Sequence, residues 1–284
     1  MKNSVWNREA LNRFQSCLIC EERSPRTIEK YMRDAEAFCR FLPRDKQLCK
    51  EQVIAYKARL AQSYKASSAN SMLVAVNRFL AFLGRQDCRV KLFKIQRSNF
   101  RQAEKELSKE EYRRLLKAAR SKKNERLYLL MQTLCGAGLR VSEHRFVTVE
   151  ALRKGSVRVR NKGKERLVFL PPELVKQLQA YCAHCRITAG PVFVTRSGRA
   201  LDRSNIWAEM KRLCREARVE RKKVFPHNLR HLFALTYYRL QKDIVRLADV
   251  LGHSSVETTR IYTVTSGREE KRLIARLGLI EGSA

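Results

Sequence analysis

SPRTIEKYMRDAEAFCRFL, residues 24–42, carries helix signals at its start and along its length. Ser24 supplies an N-cap and Pro25 a ring whose fixed φ suits the first helical position. Ile28, Tyr31, Ala35, Phe38 and Phe41 recur at helical spacing, so one face is apolar and needs a partner. The pattern returns in KEQVIAYKARLAQS (50–63) and in SANSMLVAVNRFLAFLG (68–84), where Gly84 is placed to cap the C-terminal end. With residues 6–22 these predict a four-helix domain over 1–84. RQDCRVKLFKIQRSNFRQAEKE (85–106) then loses the period and keeps a basic excess, which predicts a linker suited to a phosphate backbone.

The basic excess extends over the whole chain. In 284 residues, 60 Lys and Arg stand against 28 Asp and Glu, a formal net charge of +32. Residues 1–105 hold 22 basic and 10 acidic side chains, and 106–284 hold 38 and 18. No long single-sign block occurs, so the charge belongs to folded surfaces in both parts, and nucleic acid is the polyanion that relieves such self-repulsion. No apolar run approaches the roughly 18 residues of a membrane span. The start, MKNSVWNREALNRF, lacks the apolar core of a secretory signal, and a cytoplasmic protein is predicted. Nine cysteines at irregular spacing predict reduced thiols. Cys17 with Cys20, and Cys182 with Cys185, fall at i and i+3 in helical segments and read as core thiols rather than zinc ligands.

A second domain is predicted over 107–284. Ser108 and Glu111 form a capping box opening KEEYRRLLKAAR, and helix continues to about Gly136. SVRVRNKGKERLVFL (156–170) reads as a hairpin, with Val157 and Val159, then Leu167 and Phe169, alternating about a turn at Asn161–Lys164. Further helices are expected near 172–185, 203–218, 227–240, 243–251, 255–262 and 267–278. The fold class is mainly α, in the α+β sense: a helical domain, then a larger helical domain holding one small antiparallel sheet.

Four segments of the second domain carry chemistry: GAGLRVSE (136–143) with Arg140, NKGKER (161–166) with Lys162, PHNLRH (226–231) with His227 and Arg230, and LGHSSVETTRIYT (251–263) with His253 and Tyr262. His227 and His231 have the i, i+4 spacing of metal ligands, but Asn228, Leu229 and Arg230 lie between them and a guanidinium repels a divalent cation. Neither a metal nor a cofactor is predicted. As a set the residues describe a site for a phosphodiester. Arg140 and Arg230 hold the non-bridging oxygens and neutralise the charge that builds on a pentacoordinate phosphorus. Lys162 gives a proton to the departing sugar oxygen, His227 bonds the phosphate and assists proton transfer from the attacking group, and His253 donates a further bond. Tyr262 is the nucleophile, a phenol whose anion a cationic pocket would favour.

The order and spacing of these segments resemble the tyrosine recombinase (phage integrase) family, most closely its compact Xer-type and mobile-element members. The family's Arg, Lys, His-x-x-Arg, His or Trp, and Tyr fall on Arg140, Lys162, His227 with Arg230, His253, and Tyr262, with Lys162 preferred to Lys164. Glu143 matches an acidic position that supports the arginines, and Asn228 stands where the family often has Asp. The resemblance implies a core-binding, SAM-like domain over 1–84, a linker over 85–106 and a catalytic domain over 107–284. It also implies a C-terminal helix over 267–280, whose Leu273, Ile274 and Leu277 suit passage to a neighbouring protomer. The implied reaction cleaves duplex DNA at a specific site through a 3′-phosphotyrosyl bond, without ATP or metal. A homotetramer on two sites would then exchange strands through a Holliday junction. The absence of a module before residue 1 argues against a separate arm-site-binding domain. Type IB topoisomerase-like relaxation and a catalytically silent DNA-binding protein are the competing expectations.

Overall fold

A computed structural model describes residues 8–43, 48–95, 103–161, 163–195, 197–263 and 274–277. The chain divides into two units, Met1–Arg97 and Ser98–Ala284. In the first, α1 (Arg8–Cys20), α2 (Pro25–Phe41), α3 (Lys50–Ser63) and α4 (Ala66–Phe82) pack their apolar stripes together. The Ser24 hydroxyl accepts from the Thr27 N–H, as a cap should. Phe14, Phe38 and Phe79 are fully buried, and the rings of Phe14 and Phe79 lie 5.1 Å apart. Gly84 follows α4 in the left-handed region, at φ +73°.

Part of the stretch read as linker is fastened to this unit. The Asn77 amide donates to Val90 O (2.8 Å) and its oxygen accepts from Val90 N (3.0 Å). Asn70 does the same with Phe93, at 2.9 and 2.8 Å. Two asparagines seven residues apart on one helix face thus replace a strand partner for residues 90–93 and satisfy backbone groups that periodicity leaves unassigned.

In the second unit α5 (Lys109–Ser121) opens on the capping box, with Ser108 N–H donating to Glu111 Oε2 at 2.8 Å and Glu111 N–H to Ser108 Oγ at 3.1 Å. Then come α6 (Glu125–Gly136), α7 (Val149–Arg153), the strands β1 (Ser156–Asn161) and β2 (Lys164–Phe169), and α8 (Pro172–His184). They are followed by α9 (Arg203–Arg212), α10 (Cys214–Ala217), α11 (Pro226–Gln241), α12 (Ile244–Leu251) and α13 (Val256–Thr259).

The hairpin corrects one expectation. Val157 pairs with Val168, and Val159 with Arg166. A two-residue turn changes the parity across the hairpin, so the odd-numbered inner face of β1 continues as the even-numbered face of β2. Val168 is therefore buried, Leu167 and Phe169 point outward at 50% and 74% exposure, and Arg166 turns inward. The paired cysteines are corrected as well. Cys182 is buried, but Cys20 and Cys185 are exposed, because α1 ends at Cys20 and α8 ends before Cys185. Among the described residues no helix is long and apolar enough to cross a membrane.

Candidate active site

After α6 the chain turns on Gly138, at φ +61°, where an added Cβ would lie 2.5 Å from Phe233 Cδ1. This turn delivers Arg140 to the head of a 3₁₀ segment, Val141–Phe146. The backbone N–H of Arg140 donates to Glu143 Oε2 (2.7 Å) and its Nη1 to Oε1 (2.9 Å). Arg166, carried inward by β2, places both terminal nitrogens on the same carboxylate, at 2.9 and 2.8 Å. Arg230, one turn into α11, donates to Gly138 O and Leu251 O, each at 2.6 Å, and its Nη1 lies 4.0 Å from Glu143 Oε2.

Three guanidiniums therefore surround one carboxylate, with Glu143 and Arg230 each 1% exposed. Burial pushes the Glu143 carboxyl up, but the bonds from Arg166 and Arg140 prevail and hold it below the ordinary carboxylate range. Burial, reinforced by Arg140, brings Arg230 down to about 9, so it stays charged at neutral pH. The cluster keeps a surplus of positive charge fixed in geometry by Glu143 and by backbone carbonyls.

α12 ends on Gly252 in the left-handed region, and α13 is capped by Ser255, whose hydroxyl accepts from Glu257 N–H. His253 sits between them, its Nδ1 2.8 Å from Thr259 Oγ1 and its Nε2 3.2 Å from Arg230 Nη2. A guanidinium only donates, so Nε2 accepts and Nδ1 carries the proton. Burial and the charges of Arg230, Arg140 and Arg166 lower His253 to about 4, and it is neutral near pH 7. The bond expected from His253 to a phosphate thus goes to Arg230's benefit in this geometry. His227 faces solvent, and partial withdrawal from water together with Arg230, His231, Arg140 and Arg203 lowers its pKa as well.

Tyr262 closes a 3₁₀ turn after α13 and is 3% exposed. It clusters with Ala234, Leu235, Leu247 and Leu251, and its ring centroid is 4.9 Å from that of His231. Burial raises its pKa while Arg230 and Arg140 pull it back, and burial prevails. The cations alone would lower it, the direction expected from sequence, and burial reverses that direction. Beside the cluster a cavity of about 630 Å³ is lined by Arg140, Arg203, Trp207, Phe225, His227 and Arg230, among others.

The structure brings Arg140, His227, Arg230, His253 and Tyr262 together. Lys162 lies outside the described residues, and Lys164 is exposed at the start of β2. Ile274 and Leu277 are exposed; Leu273 and most of 267–280 lie outside the described residues. Sequence reasoning misses Arg166, whose inward direction follows only from the strand register. It also misses Arg203, Glu106 and His231 as neighbours of the site. Asn228 acquires a reason: its amide nitrogen donates to Lys105 O (2.9 Å) and Lys223 O (2.7 Å), and an aspartate there would set a carboxylate against two carbonyl oxygens.

Gly252, like Gly138, is a tight constraint on this arrangement. At φ +62° an added Cβ would approach Arg166 Cδ to 2.5 Å, and Arg166 is pinned at its far end by Glu143. Gly252→Ala is expected to cost about 1–3 kcal/mol through backbone strain and displacement of Arg166. A calorimetric melt of the purified variant checks this, and an unchanged midpoint contradicts it.

Residues 105–268 match the family described as "Phage integrase family", and residues 11–87 match "Phage integrase, N-terminal SAM-like domain". The chain is 32% identical to the tyrosine recombinase XerA of Thermococcus kodakarensis, over 96% of each protein. Its fold resembles the post-cleavage complex of the XerH site-specific recombinase on palindromic difH substrate, with a TM-score of 0.69 at 19% identity over 98% of this chain and 91% of that one. It also resembles a lambda integrase tetramer bound to a Holliday junction, with a TM-score of 0.69 at 18% identity over 88% and 76% of the two chains.

Proposed function

The chain belongs to the phage integrase family and is a site-specific tyrosine recombinase, and on that premise we propose that Tyr262 attacks a scissile phosphodiester held by Arg140 and Arg230. The observation that carries this assignment is the surplus of fixed positive charge on three guanidiniums around Glu143, beside a tyrosine and an open cavity. Guanidinium forks match two phosphate oxygens, and charge fixed before substrate arrives needs no reorganisation as the phosphorane forms. His227, neutral near pH 7, takes the phenolic proton as the Oη–phosphorus bond forms. The bond from phosphorus to the 5′ oxygen breaks, and Lys162 protonates that oxygen. The reverse sequence, begun by the 5′ hydroxyl of a partner duplex, reseals the strand and frees Tyr262.

In this reading the substrate is double-stranded DNA bearing a specific site. Four copies of the chain act in the cytoplasm on two such sites and exchange one pair of strands at a time through a Holliday junction, in integration, excision or dimer resolution. The relatives bound to substrate and to a junction support this assembly. Incubation with a nicked suicide duplex carrying the site tests it: a denaturant-resistant protein–DNA adduct is expected, and none from a verified site would refute it. Plasmid relaxation without a paired site would instead indicate topoisomerase-like chemistry.

The charge of +32 bears on binding. With about six to ten phosphates neutralised, affinity is expected to fall by roughly 10³–10⁵ between about 50 and 200 mM salt. A flat response in a fluorescence-anisotropy titration would show that the basic surfaces do not face the duplex.

A further inference from the structure

Glu106 and His231 play no part in the mechanism above, yet His231 packs against its nucleophile and Glu106 bonds His231. His231 Nε2 lies 3.3 Å from Glu106 Oε1; a carboxylate only accepts, so the imidazole donates. Each side chain is 15% exposed, which shields the pair from solvent. The imidazole also packs against Tyr262, whose ring is tilted 51° to that of His231. The other buried members of the tyrosine's cluster, Ala234, Leu235, Leu247 and Leu251, are aliphatic and carry no group for a directed bond, and the half-buried Phe233, Tyr237 and Tyr238 pack against that cluster. Glu106 follows directly on a 3₁₀ turn, Ala103–Lys105, and the carbonyl of Lys105 accepts from Asn228. The segment that opens the catalytic unit is thus attached to α11 twice, at Asn228, two residues before Arg230, and at His231, the residue after it.

We propose that Glu106 and His231 form a strut that positions Tyr262: the carboxylate fixes the imidazole plane, and the imidazole fixes the tyrosine ring relative to the arginine cluster. The position of the chain at 103–106 is thereby coupled to that of the nucleophile 156 residues later. His231 and Glu106 are positioning residues, since neither needs to meet the phosphate. The inference rests on Tyr262 being the nucleophile, and two separate readouts keep it distinguishable from that reading.

The variants are Glu106→Ala, His231→Phe, the pair together, and Glu106→Gln, which keeps an acceptor for the imidazole. The first readout is the single-turnover rate of adduct formation on the nicked duplex, with DNA affinity measured in parallel. Each single variant is expected to lose roughly 10–100-fold in rate at unchanged affinity, because a small misplacement of a reacting group costs that much. The double variant is expected to be no slower than the worse single one, and Glu106→Gln to recover most of the rate. The second readout needs no catalysis: with a ring fluorine on Tyr262, relaxation of its signal by a soluble paramagnet should rise severalfold in Glu106→Ala and His231→Phe. Wild-type rates in the single variants, multiplicative losses in the pair, or unchanged paramagnetic relaxation would each overturn the strut. Altered relaxation alongside a wild-type protein that never forms an adduct would uphold the strut and refute the nucleophile.

Discussion

Tyr262→Phe is expected to abolish covalent capture of DNA, lowering adduct formation on a nicked duplex by on the order of 10⁴-fold or more, as removal of a catalytic nucleophile does elsewhere. The substitution is clean for physical reasons. The ring is 3% exposed among Ala234, Leu235, Leu247 and Leu251 and lies against His231, and phenylalanine keeps that shape and burial. Folding and DNA affinity should therefore stay near wild type while chemistry is lost. Burial holds the phenol above its ordinary pKa, so the wild-type group starts as a neutral phenol near pH 7 and needs an acceptor when it attacks. His227, held neutral, meets that need. Denaturing electrophoresis, with peptide mapping of the adduct to residues 251–263, makes the measurement. An adduct from the phenylalanine variant at the wild-type rate would assign the nucleophile elsewhere.

How far the molecule is legible in its sequence differs between its elements. Helices are legible wherever one local period and one local cap agree: α3 spans the quoted Lys50–Ser63, and the Ser108–Glu111 box is built as written. Local signals fail where a partner from elsewhere decides the outcome. Leu167 and Phe169 look like the inner face of β2 until the register reverses the parity, and the same reversal sends Arg166 to Glu143. Residues 90–93 lack a period of their own because Asn70 and Asn77, on α4, supply their hydrogen bonds. In the site, Arg140, His227, Arg230, His253 and Tyr262 are readable as residue types in an order. Their protonation is not, because desolvation depends on packing: it reverses the direction expected for Tyr262 and turns His253 into an acceptor for Arg230. The bond between Glu106 and His231 joins positions that no local pattern relates.

Glu143→Ala is expected to destabilise the protein by about 3–5 kcal/mol, the usual penalty for stripping one partner from a buried ionic cluster. Arg140, Arg166 and Arg230 would be left facing one another, and Arg230, 1% exposed, is poorly hydrated at the edge of the cavity. For a domain of this size the loss corresponds to a fall of roughly 6–20 °C in melting temperature. The same electrostatics set a second expectation that an ordinary core defect does not share. If the cluster is a seat for a phosphodiester, an anion brought there replaces part of what Glu143 supplied. Inorganic phosphate or duplex DNA should then raise the melting temperature of Glu143→Ala by more than that of the wild type. Glu143→Gln separates shape from charge, since it fills the same volume and keeps one acceptor but restores no negative charge. It should melt between the alanine variant and wild type and show the same excess response to phosphate. Equal shifts in all three proteins would mean that Glu143 serves packing alone and that the guanidiniums are not poised for an anion.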